Sequence, residues 1–370
     1  MKILVTGGAG FIGSHLVDKL VEMGHDVVVI DNLEPQVHQG KQPSYLNSKA
    51  EYIFKDVKDG KTLTSLLKDV EVIFHQAAAV GVGQSMYEIE KYVDANVMGT
   101  AKLLDVLVNK ENSVKKLIVA SSMSIYGEGA YECGDCGIVY PELRPDEQMK
   151  KREWEMKCPE CGEIVKPLPT KENKPLKPTS VYAVSKRDQE ELCLAVGRAY
   201  GIATVALRYF NVYGPRQSLS NPYTGVCAIF SSRIKNNNPP LIFEDGLQTR
   251  DFIYVDDIVQ ANILAMEKSQ ANYKALNVGT GKKTSILEVA NVLAKLYGKN
   301  IEPEVVNKYR AGDIRHCFAD ITEIQKIGFC PKFTFEEGMK KLVEWGKQAE
   351  AVDKVEDATK ELVERGLVEG

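Results

Sequence analysis

The sequence predicts an α/β fold, a doubly wound parallel sheet with a smaller second domain, and three observations carry that prediction. Short apolar runs alternate with amphipathic helical patterns over the first half of the chain, which is typical of a parallel sheet covered by helices on both faces. A glycine-rich turn directly follows the first apolar run, and an acidic residue closes the second. With 370 residues, the chain is long enough for about two domains.

The first 31 residues predict a strand, a glycine-rich turn, a helix and a second strand that ends in an acidic residue. The apolar run Lys2–Thr6 leads into Gly7-Gly8-Ala9-Gly10-Phe11-Ile12-Gly13, then a helical pattern to Met23 and a second strand ending at Asp31. Glycines in this pattern let the backbone turn tightly and approach a pyrophosphate, which the N–H groups at the helix N-terminus can bind. The context favours a Rossmann-type dinucleotide site over a structural turn in another α/β protein.

Asp31 indicates which dinucleotide is bound. Its carboxylate is placed to accept hydrogen bonds from an adenosine ribose, and its charge would repel a 2′-phosphate. No arginine or lysine occurs between Asp26 and Gly40 to offset that charge. The sequence therefore favours NAD over NADP.

Strand and helix patterns continue to alternate to residue 215 and become mixed beyond it. Further strands are predicted at 52–54, 72–74, 117–120 and 203–207, and helices at 63–67, 87–108 and 181–200. The predicted domains are a Rossmann domain in two parts (1–127 and 179–215), an insertion (128–178), a smaller mixed α/β substrate domain (216–350) and a helical C-terminal tail (351–370). We expect the last twenty residues to be a solvated appendage.

Composition excludes several classes of protein. The chain is 44% hydrophobic and 26% charged, with a net charge of −4, so there is no electrostatic case for nucleic-acid or anionic-membrane partners. No apolar run approaches the length of a membrane-spanning helix, and Met1 leads straight into the first strand. We therefore expect no signal peptide and a cytoplasmic protein.

The insertion carries two C-x2-C pairs. Cys133 pairs with Cys136 and Cys158 with Cys161, with 21 residues between the pairs. Four thiolates in this spacing close a tetrahedral site, so we predict a structural zinc ribbon, with a redox dithiol or unpaired thiols as alternatives. Acidic residues (11) outnumber lysine and arginine (9) in the insertion, which argues against a nucleic-acid-binding ribbon.

Tyr182 and Lys186 lie one helical turn apart, so both side chains project from the same helix face. A free tyrosine has a pKa of about 10 and is a poor base at neutral pH. We expect the neighbouring ammonium, with a nicotinamide cation, to lower that pKa. With Ser122 at the end of the fifth strand, these residues form a candidate catalytic set. The alternative is an incidental Tyr and Lys on an exposed helix.

Together these motifs resemble the extended short-chain dehydrogenases/reductases that act on nucleotide sugars. The resemblance rests on the glycine turn, Asp31, Asp56, Asn96, Ser122, Tyr182-x3-Lys186 and Tyr209-Phe210-Asn211. It implies that Tyr182 is the catalytic base, that Lys186 holds the nicotinamide ribose and that Ser122 binds the reacting sugar hydroxyl. The residues implied for NAD are Gly7, Gly10, Phe11, Ile12, Asp31, Asn32, Asp56, Val57, Gln76, Ala77, Ala78, Asn96, Tyr182, Lys186 and Phe210. Those implied for the nucleotide sugar are Ser124, Asn211, Arg250, Arg310 and Asp313.

The same resemblance indicates which of the family's reactions to expect of this chain. In the 4,6-dehydratases an Asp-Glu pair follows the catalytic Ser or Thr, and the decarboxylases usually keep the Glu, whereas this chain has Met123 and Ser124. An elimination reaction would then lack the carboxyl side chain that transfers the proton. Oxidation followed by reduction remains, which implies 4-epimerisation and makes a dehydratase or decarboxylase less favoured.

The substrate is predicted from three further runs. Residues 80–87, 121–129 and 221–225 resemble dTDP-L-rhamnose 4-epimerases, which interconvert dTDP-L-rhamnose and dTDP-6-deoxy-L-talose. Val80 stands where several UDP-galactose epimerases carry a lysine. A UDP-hexose or UDP-hexuronate 4-epimerase is the alternative. A zinc-ribbon binding module on a catalytically silent fold is a second class, which the intact Ser-Tyr-Lys set disfavours.

A homodimer is also implied by the resemblance. The long helices predicted at 87–108 and 181–200 are similar to those that pair across the family's dimer as a four-helix bundle. We therefore expect a nucleotide-sugar substrate and a second copy of the chain as the partners of this protein.

Overall fold

A computed structural model describes residues 1–310 and 312–369 of the chain. The strands are β1 (Lys2–Thr6), β2 (Asp26–Asp31), β3 (Glu51–Phe54), β4 (Val72–His75), β5 (Lys116–Ser122), β6 (Ala130–Cys133), β7 (Gly137–Val139), β8 (Lys166–Leu168), β9 (Ala203–Tyr209), β10 (Asn211–Tyr213), β11 (Leu241–Ile242), β12 (Thr249–Arg250), β13 (Phe252–Tyr254), β14 (Ala275–Val278), β15 (Thr284–Ser285), β16 (Glu304–Val305), β17 (Tyr309–Arg310), β18 (His316–Cys317) and β19 (Val368–Glu369).

The α-helices are α1 (Phe11–Glu22), α2 (Pro35–His38), α3 (Gly60–Leu66), α4 (Val82–Ser85), α5 (Ile89–Tyr92), α6 (Gly99–Asn109), α7 (Asp146–Lys150), α8 (Val181–Tyr200), α9 (Val226–Lys235), α10 (Val255–Glu267), α11 (Ile286–Tyr297), α12 (Thr322–Gln325), α13 (Phe335–Gln348) and α14 (Val355–Glu364). A π-helical turn covers Val93–Met98, and 3₁₀ turns cover Met123–Tyr126 and Ser269–Ala271. Within the described residues, none of the helices combines the length and apolar composition that a bilayer span requires.

Seven parallel strands form the central sheet in the order β14-β9-β5-β4-β1-β2-β3. Its strands are rich in valine and isoleucine; residues 27–30 of β2, for example, are at most 1% exposed because helices cover both faces. The chain order reverses between β1 and β4, which pair from Ile3 with Val72 to Thr6 with His75. Ligands of such sheets bind beyond the carboxyl ends of the strands at this reversal. The predicted doubly wound sheet is confirmed, and the glycine turn lies at its ligand edge.

Two apolar cores hold the helices against the sheet. On one face, α1 contributes Leu16, Val17 and Leu20, whose spacing places them on one side of the helix. On the other face, α3, α6 and α8 pack through residues such as Leu103 and Leu194. The substrate domain has a third core between α9, α11 and α13. None of these cores covers the carboxyl edge of the central sheet, which faces the substrate domain.

The insertion folds as a small antiparallel sheet in which β6 pairs with both β7 and β8. Its core includes Tyr131, Val139 and Met156. It also packs on the substrate domain, since Trp154 lies against Tyr309 with ring centroids 6.3 Å apart. The insertion is therefore not a free-standing module.

The prediction that the last twenty residues are a solvated appendage is wrong. Val355, Ala358 and Leu362 are buried, because their spacing forms an apolar stripe along α14. Beyond the helix, β19 pairs antiparallel with β17, Val368 facing Arg310. The C-terminal segment thus packs back onto the substrate domain.

Candidate active site

A cavity of about 680 Å³ opens at the carboxyl edge of the sheet and extends to the substrate domain. Its cofactor half is lined by the glycine turn, Asp31 and Asp56, and its substrate half by Asn211, Arg250 and Asp313. The cavity brings together every site residue predicted above except Asn96 and the four cysteines. Its volume is in the range of ligand sites in enzymes.

Gly7 and Gly13 shape the cofactor half. Gly7 has a φ of +69°, and a β-carbon there would lie 2.8 Å from the backbone nitrogen of Ala77. A β-carbon at Gly13 would lie 2.2 Å from the carbonyl oxygen of Gly7. No side chain fits at these distances, so the turn stays narrow and brings the N-terminus of α1 to the cavity. Free N–H groups at that end can bind phosphate oxygens.

Asp31 is fixed at the end of β2 by backbone N–H groups. Its Oδ2 accepts a hydrogen bond from Ala9 at 3.0 Å and its Oδ1 accepts one from Leu33 at 2.9 Å. Each carboxylate oxygen keeps a second lone pair, which is available to a diol in the cavity. The negative charge of Asp31 would repel a 2′-phosphate, consistent with the predicted preference for NAD.

Ser122 and Tyr182 meet in the middle of the cavity because β5 ends at the serine and α8 begins just before the tyrosine. The two side chains are neighbours, and Ser122 acts to lower the pKa of the Tyr182 phenol. The Ser124 hydroxyl donates a hydrogen bond to Ser122 Oγ at 2.9 Å. Ser122, Ser124 and Tyr182 therefore all line the cavity, where their hydroxyl groups can bind a substrate hydroxyl.

Lys186 lies one helical turn after Tyr182 on α8 and is 3% exposed. Its ammonium donates to the Ala120 carbonyl at 2.5 Å and to Gln189 Oε1. Gln189 is held in turn by the buried His75, whose Nε2 lies 3.0 Å from the amide nitrogen. Burial lowers the pKa of Lys186 to about 8.

The expected acidifying effect of Lys186 on Tyr182 is not seen. Burial is the largest influence on the phenol and raises its pKa above the usual value, while the neighbouring Ser122 side chain acts to lower it. The physical reason is that a dry site removes the hydration that a phenolate needs. Within the chain, Ser122 rather than Lys186 is the group that favours the phenolate.

Asn96 is not among the residues that line the cavity, and its role in binding NAD stays a prediction. It lies fully buried in the π-helical turn, where its amide exchanges hydrogen bonds with the backbone of Ala79 at 2.7 and 3.1 Å and donates to Ser185 at 2.9 Å. The continuous helix predicted at 87–108 is accordingly interrupted by that turn, a feature frequent at functional sites. Asn96 fixes the backbone after β4, and that backbone lines the cavity.

The substrate half contains positive charge and unpaired polar atoms. The guanidinium of Arg310 lies 4.1 Å from the ring centroid of Phe243. Asn211 Oδ1 and Arg310 Nε are buried and have no hydrogen-bond partner among the described residues. Buried polar atoms are nearly always paired, so these atoms indicate a ligand with both donor and acceptor groups. Arginine forks suit a diphosphate.

Asp313 lies beside these arginines. Burial raises the pKa of its carboxyl group, and the charges of Arg310 and Arg250 act against that rise. Arg250 itself donates to the carbonyls of Ile314 and Arg315 at 2.6 and 3.0 Å. Asp313 therefore lies on a backbone segment that Arg250, a residue of the same site, holds in place.

The four cysteines form a cluster in the insertion, and none of them lines the cavity. Their sulfur atoms all lie within 4.8 Å of one another, and those of Cys133 and Cys161 are 3.5 Å apart. Cys133 and Cys158 are buried, whereas Cys161 is exposed. The two C-x2-C pairs, which are separated in the sequence, thus come together as a cluster of four thiols.

Sequence reasoning missed one wall of the substrate half. It is formed by residues of α14, namely Val355, Ala358, Thr359 and Leu362. The helix is fastened by Glu361, which accepts hydrogen bonds from the phenols of Tyr87 and Tyr223 at 3.1 and 3.2 Å. The apolar stripe along this helix was the signal available in the sequence.

Comparison with known proteins places this architecture among others of known activity. A family model described as the NAD dependent epimerase/dehydratase family matches residues 3–147 and 159–279. A dTDP-L-rhamnose 4-epimerase of Burkholderia thailandensis is 38% identical over 348 residues, which cover 93% of this chain and 94% of that protein.

Two solved structures have the same overall architecture. UDP-glucose 4-epimerase of Thermotoga maritima, solved with UDP-glucose, aligns with a TM-score of 0.76 and 35% identity over 93% of this chain and 98% of that one. UDP-glucuronic acid 4-epimerase of Bacillus cereus, in complex with UDP-glucuronic acid and NAD, aligns with a TM-score of 0.78 and 29% identity over 94% and 99% of the two chains.

Proposed function

Because this chain belongs to the NAD-dependent epimerase/dehydratase family, we propose that it inverts C4 of a nucleotide sugar, with dTDP-L-rhamnose and dTDP-6-deoxy-L-talose as the substrate pair. The family and the enzyme class, a nucleotide-sugar epimerase, were predicted from the sequence and are confirmed by the family and relatives that match. The observation that carries the proposal is the placement of Ser122 next to Tyr182 inside the ligand cavity.

The cofactor half fits NAD. Its turn leaves no room for a β-carbon at Gly7 or Gly13, and Asp31 presents a carboxylate where an adenosine ribose would lie. Lys186 lies beside Tyr182 on α8 and is assigned to the nicotinamide ribose. When bound, NAD supplies reversible acceptance of a hydride.

The residues of the chain move the proton. Tyr182, as phenolate, accepts the proton of the 4-hydroxyl while C4 gives up its hydrogen as hydride, which leaves a 4-ketone. Ser122 binds the reacting oxygen and keeps it beside the phenol. After the sugar turns over, the hydride returns to the opposite face of C4 and Tyr182 returns the proton to the oxygen. Atoms and electrons balance, since the sugar is neither oxidised nor reduced overall.

The side chains next to this centre favour epimerisation over elimination. Met123 and Ser124 follow Ser122, so no carboxyl group is available there to protonate a leaving hydroxyl. Met123 and Val80 both line the cavity and offer apolar surface to the methyl group of a 6-deoxy sugar. One methyl group is worth only about 1–3 kcal/mol of discrimination.

The 38% identical relative supports the dTDP-L-rhamnose assignment, as do the sequence runs that resemble that group. The alternative is a UDP-hexose or UDP-hexuronate 4-epimerase. It is favoured by the likeness to the Thermotoga and Bacillus enzymes, whose structures hold UDP-glucose and UDP-glucuronic acid.

Product analysis by NMR tests the function. The protein is incubated separately with dTDP-L-rhamnose, UDP-glucose and UDP-glucuronic acid, without added reductant. The expected result is C4 inversion of dTDP-L-rhamnose at the highest kcat/KM. Inversion of the UDP sugars alone would replace the substrate with the alternative, and no inversion of any nucleotide sugar would contradict the function.

A structural zinc ion is part of the proposal. Zn–S distances near 2.3 Å place the four sulfurs of a tetrahedral site roughly 3.8 Å apart, and the observed cluster spans no more than 4.8 Å. Four thiolates would fill every ligand position, so the metal would hold the insertion together. Elemental analysis is expected to find about one zinc per chain, and less in Cys158→Ser. Its absence from protein purified without chelator would contradict the assignment.

We also propose a homodimer. Apolar side chains on the 89–109 helical run and on α8 are at least 36% exposed, namely Ile89, Val93, Met98, Val184 and Leu192. Exposed apolar groups concentrated on one face favour burial against another copy. Sedimentation should show a dimer that Val184→Asp weakens, and a monomer at micromolar concentration would contradict the proposal.

A further inference from the structure

The insertion reaches the substrate half of the cavity through Arg144. The side chain of Arg144 is 2% exposed, and its guanidinium makes two 2.8 Å hydrogen bonds to the carboxylate of Glu244. The same group donates to the carbonyls of Trp154 at 2.9 Å and Asp313 at 3.3 Å. Arg144 therefore connects three separate stretches of chain, one of which carries the acid of the substrate half.

Glu244 lines the cavity yet is almost wholly buried. Its φ is +53°, a backbone conformation that favours glycine or asparagine and costs energy for other residues. Its backbone N–H bonds to the Lys308 carbonyl at 2.8 Å, and its side chain also accepts from Arg315 at 2.9 Å. The side chain of Glu244 is thus held in this conformation by contacts with two arginines, Arg144 and Arg315.

Two further carboxylates of the insertion hold the segment at 312–316. Glu128 accepts from the backbone N–H groups of Arg315 and His316 at 2.5 and 3.3 Å. Glu155 accepts from the guanidinium of Arg315 at 2.6 Å. On the cavity side, Arg250 donates to carbonyls of the same segment. The segment is thereby fixed between the insertion and an arginine of the substrate half.

We propose that Arg144 is a positioning residue through which the insertion completes the subsite for the nucleoside diphosphate of the substrate. It holds Glu244 and the Asp313 backbone, so the Asp313 carboxylate and the neighbouring Arg250 keep the geometry that ribose hydroxyls and phosphates require. This inference rests on the proposed function, because it takes the ligand of the substrate half to be a nucleotide sugar. Arg144 itself is not among the residues that line the cavity.

Calorimetric titration with dTDP and with UDP tests the inference on the full chain loaded with NAD. Arg144→Met is expected to raise Kd for the nucleotide it binds best by about tenfold, as expected for losing hydrogen bonds to a charged group. KM for the nucleotide sugar should rise with it. NAD content, zinc content and kcat at saturating substrate should stay the same, since Tyr182 and the glycine turn are untouched.

Two further variants separate positioning from folding. Arg144→Met leaves Glu244 without one partner, so Arg144→Met/Glu244→Gln removes the unpaired charge and is expected to fold while binding nucleotide as weakly. Lys177→Met removes an exposed cation of the same insertion and should bind as the wild type does. Partial recovery of affinity in Arg144→Lys would support the positioning role.

The inference is overturned if the double variant binds nucleotide like the wild type, or if only its thermal stability falls. Equal losses of NAD and nucleotide binding would also overturn it, because they would show a general loss of structure. A wild-type protein that binds neither dTDP nor UDP would overturn the proposed function and this inference together, so the two failures are distinguishable.

Discussion

In the cofactor half of the cavity the surface facing the ligand is largely backbone, whereas in the substrate half it is made of side chains from widely separated segments. A β-carbon at Gly7 or Gly13 would collide with neighbouring backbone, and Asp31 is held by backbone N–H groups. Asp313, by contrast, depends on Arg144 of the insertion, and its surroundings include the C-terminal helix.

The difference shows how the two halves respond to change. A backbone cradle tolerates most side-chain substitutions nearby but is lost when one β-carbon is added. An assembly of side chains can be altered one residue at a time, which allows one cofactor chemistry to serve different substrates. Substitutions of the cradle glycines should therefore abolish cofactor binding, whereas substitutions in the substrate half should change affinity or preference.

The largest effect is expected at the junction of the two halves. Tyr182→Phe should lower kcat by about 10³-fold, because general acid–base transfer by the phenol is lost, while bound NAD is unchanged. Steady-state kinetics and cofactor content are the measurements. Tyr200→Phe is the matched control, since this tyrosine lies on the same helix and is 61% exposed. Turnover by Tyr182→Phe comparable to wild type would show that another group takes the proton.

Gly13→Ala should break the cofactor half. The added methyl would lie 2.2 Å from the Gly7 carbonyl oxygen, so the turn must open and the purified protein should lack NAD. Such overpacking typically costs about 1–3 kcal/mol, which thermal unfolding would also register. Gly60→Ala is the control, because a β-carbon at that position would meet no neighbouring group within 4 Å. Full NAD occupancy in Gly13→Ala would contradict the backbone-cradle account.

Leu362→Ala should affect the substrate half alone. Leu362 is 6% exposed and packs with Phe243 and Val368 in a small core that forms part of the cavity wall. Loss of a buried leucine typically costs about 2–5 kcal/mol, here expressed as looser closure of α14 and a higher KM. Val363→Ala, on the exposed side of the same helix, should leave KM unchanged. Loss of NAD in Leu362→Ala would show that the two halves are not separable.

Val80→Lys should shift preference between substrates. Val80 is proposed to pack against the methyl group of a 6-deoxy sugar, so a charged side chain there should reduce kcat/KM for dTDP-L-rhamnose relative to UDP-glucose by about tenfold, in line with the small worth of one methyl contact. Competition between the two substrates gives the ratio directly. An unchanged ratio would remove Val80 from the determinants of specificity.

The last expected effect is on stability beneath the cofactor half rather than on binding or turnover. Burial lowers the pKa of His75 to about 3, so between pH 6.5 and 3 the unfolded chain binds a proton that the folded chain does not. The free energy of unfolding should therefore fall as pH falls through this window, by up to about 1.4 kcal/mol per unit. His75→Asn should lose that part of the pH dependence in urea titrations. An equal slope in the variant would contradict the buried neutral imidazole.

Much of the fold was predictable because it is encoded locally. The first strand and the helix at Val181–Tyr200 have the predicted bounds, since apolar periodicity and flanking signals specify them. The cavity also gathers nearly all predicted ligand residues, because strand ends of a parallel sheet meet at one edge.

The features that could not be predicted depend on tertiary contacts, which leave no local pattern in the sequence. Arg144 and Glu244 are 100 residues apart in the chain, and neither belongs to a motif. The π-helical turn that buries Asn96 covers Val93–Met98, a run with neither glycine nor proline to mark an interruption of the helix. The pKa of Tyr182 depends on how dry its surroundings are, which packing decides.

Retention of deuterium tests the central claim most directly. A dTDP-L-rhamnose carrying deuterium at C4 is converted in ordinary water, and the product is examined by NMR and mass spectrometry. Because the same hydrogen leaves C4 as hydride and returns to its other face, we expect the dTDP-6-deoxy-L-talose formed to keep the deuterium at C4. Replacement of that deuterium by solvent hydrogen during inversion would contradict the account.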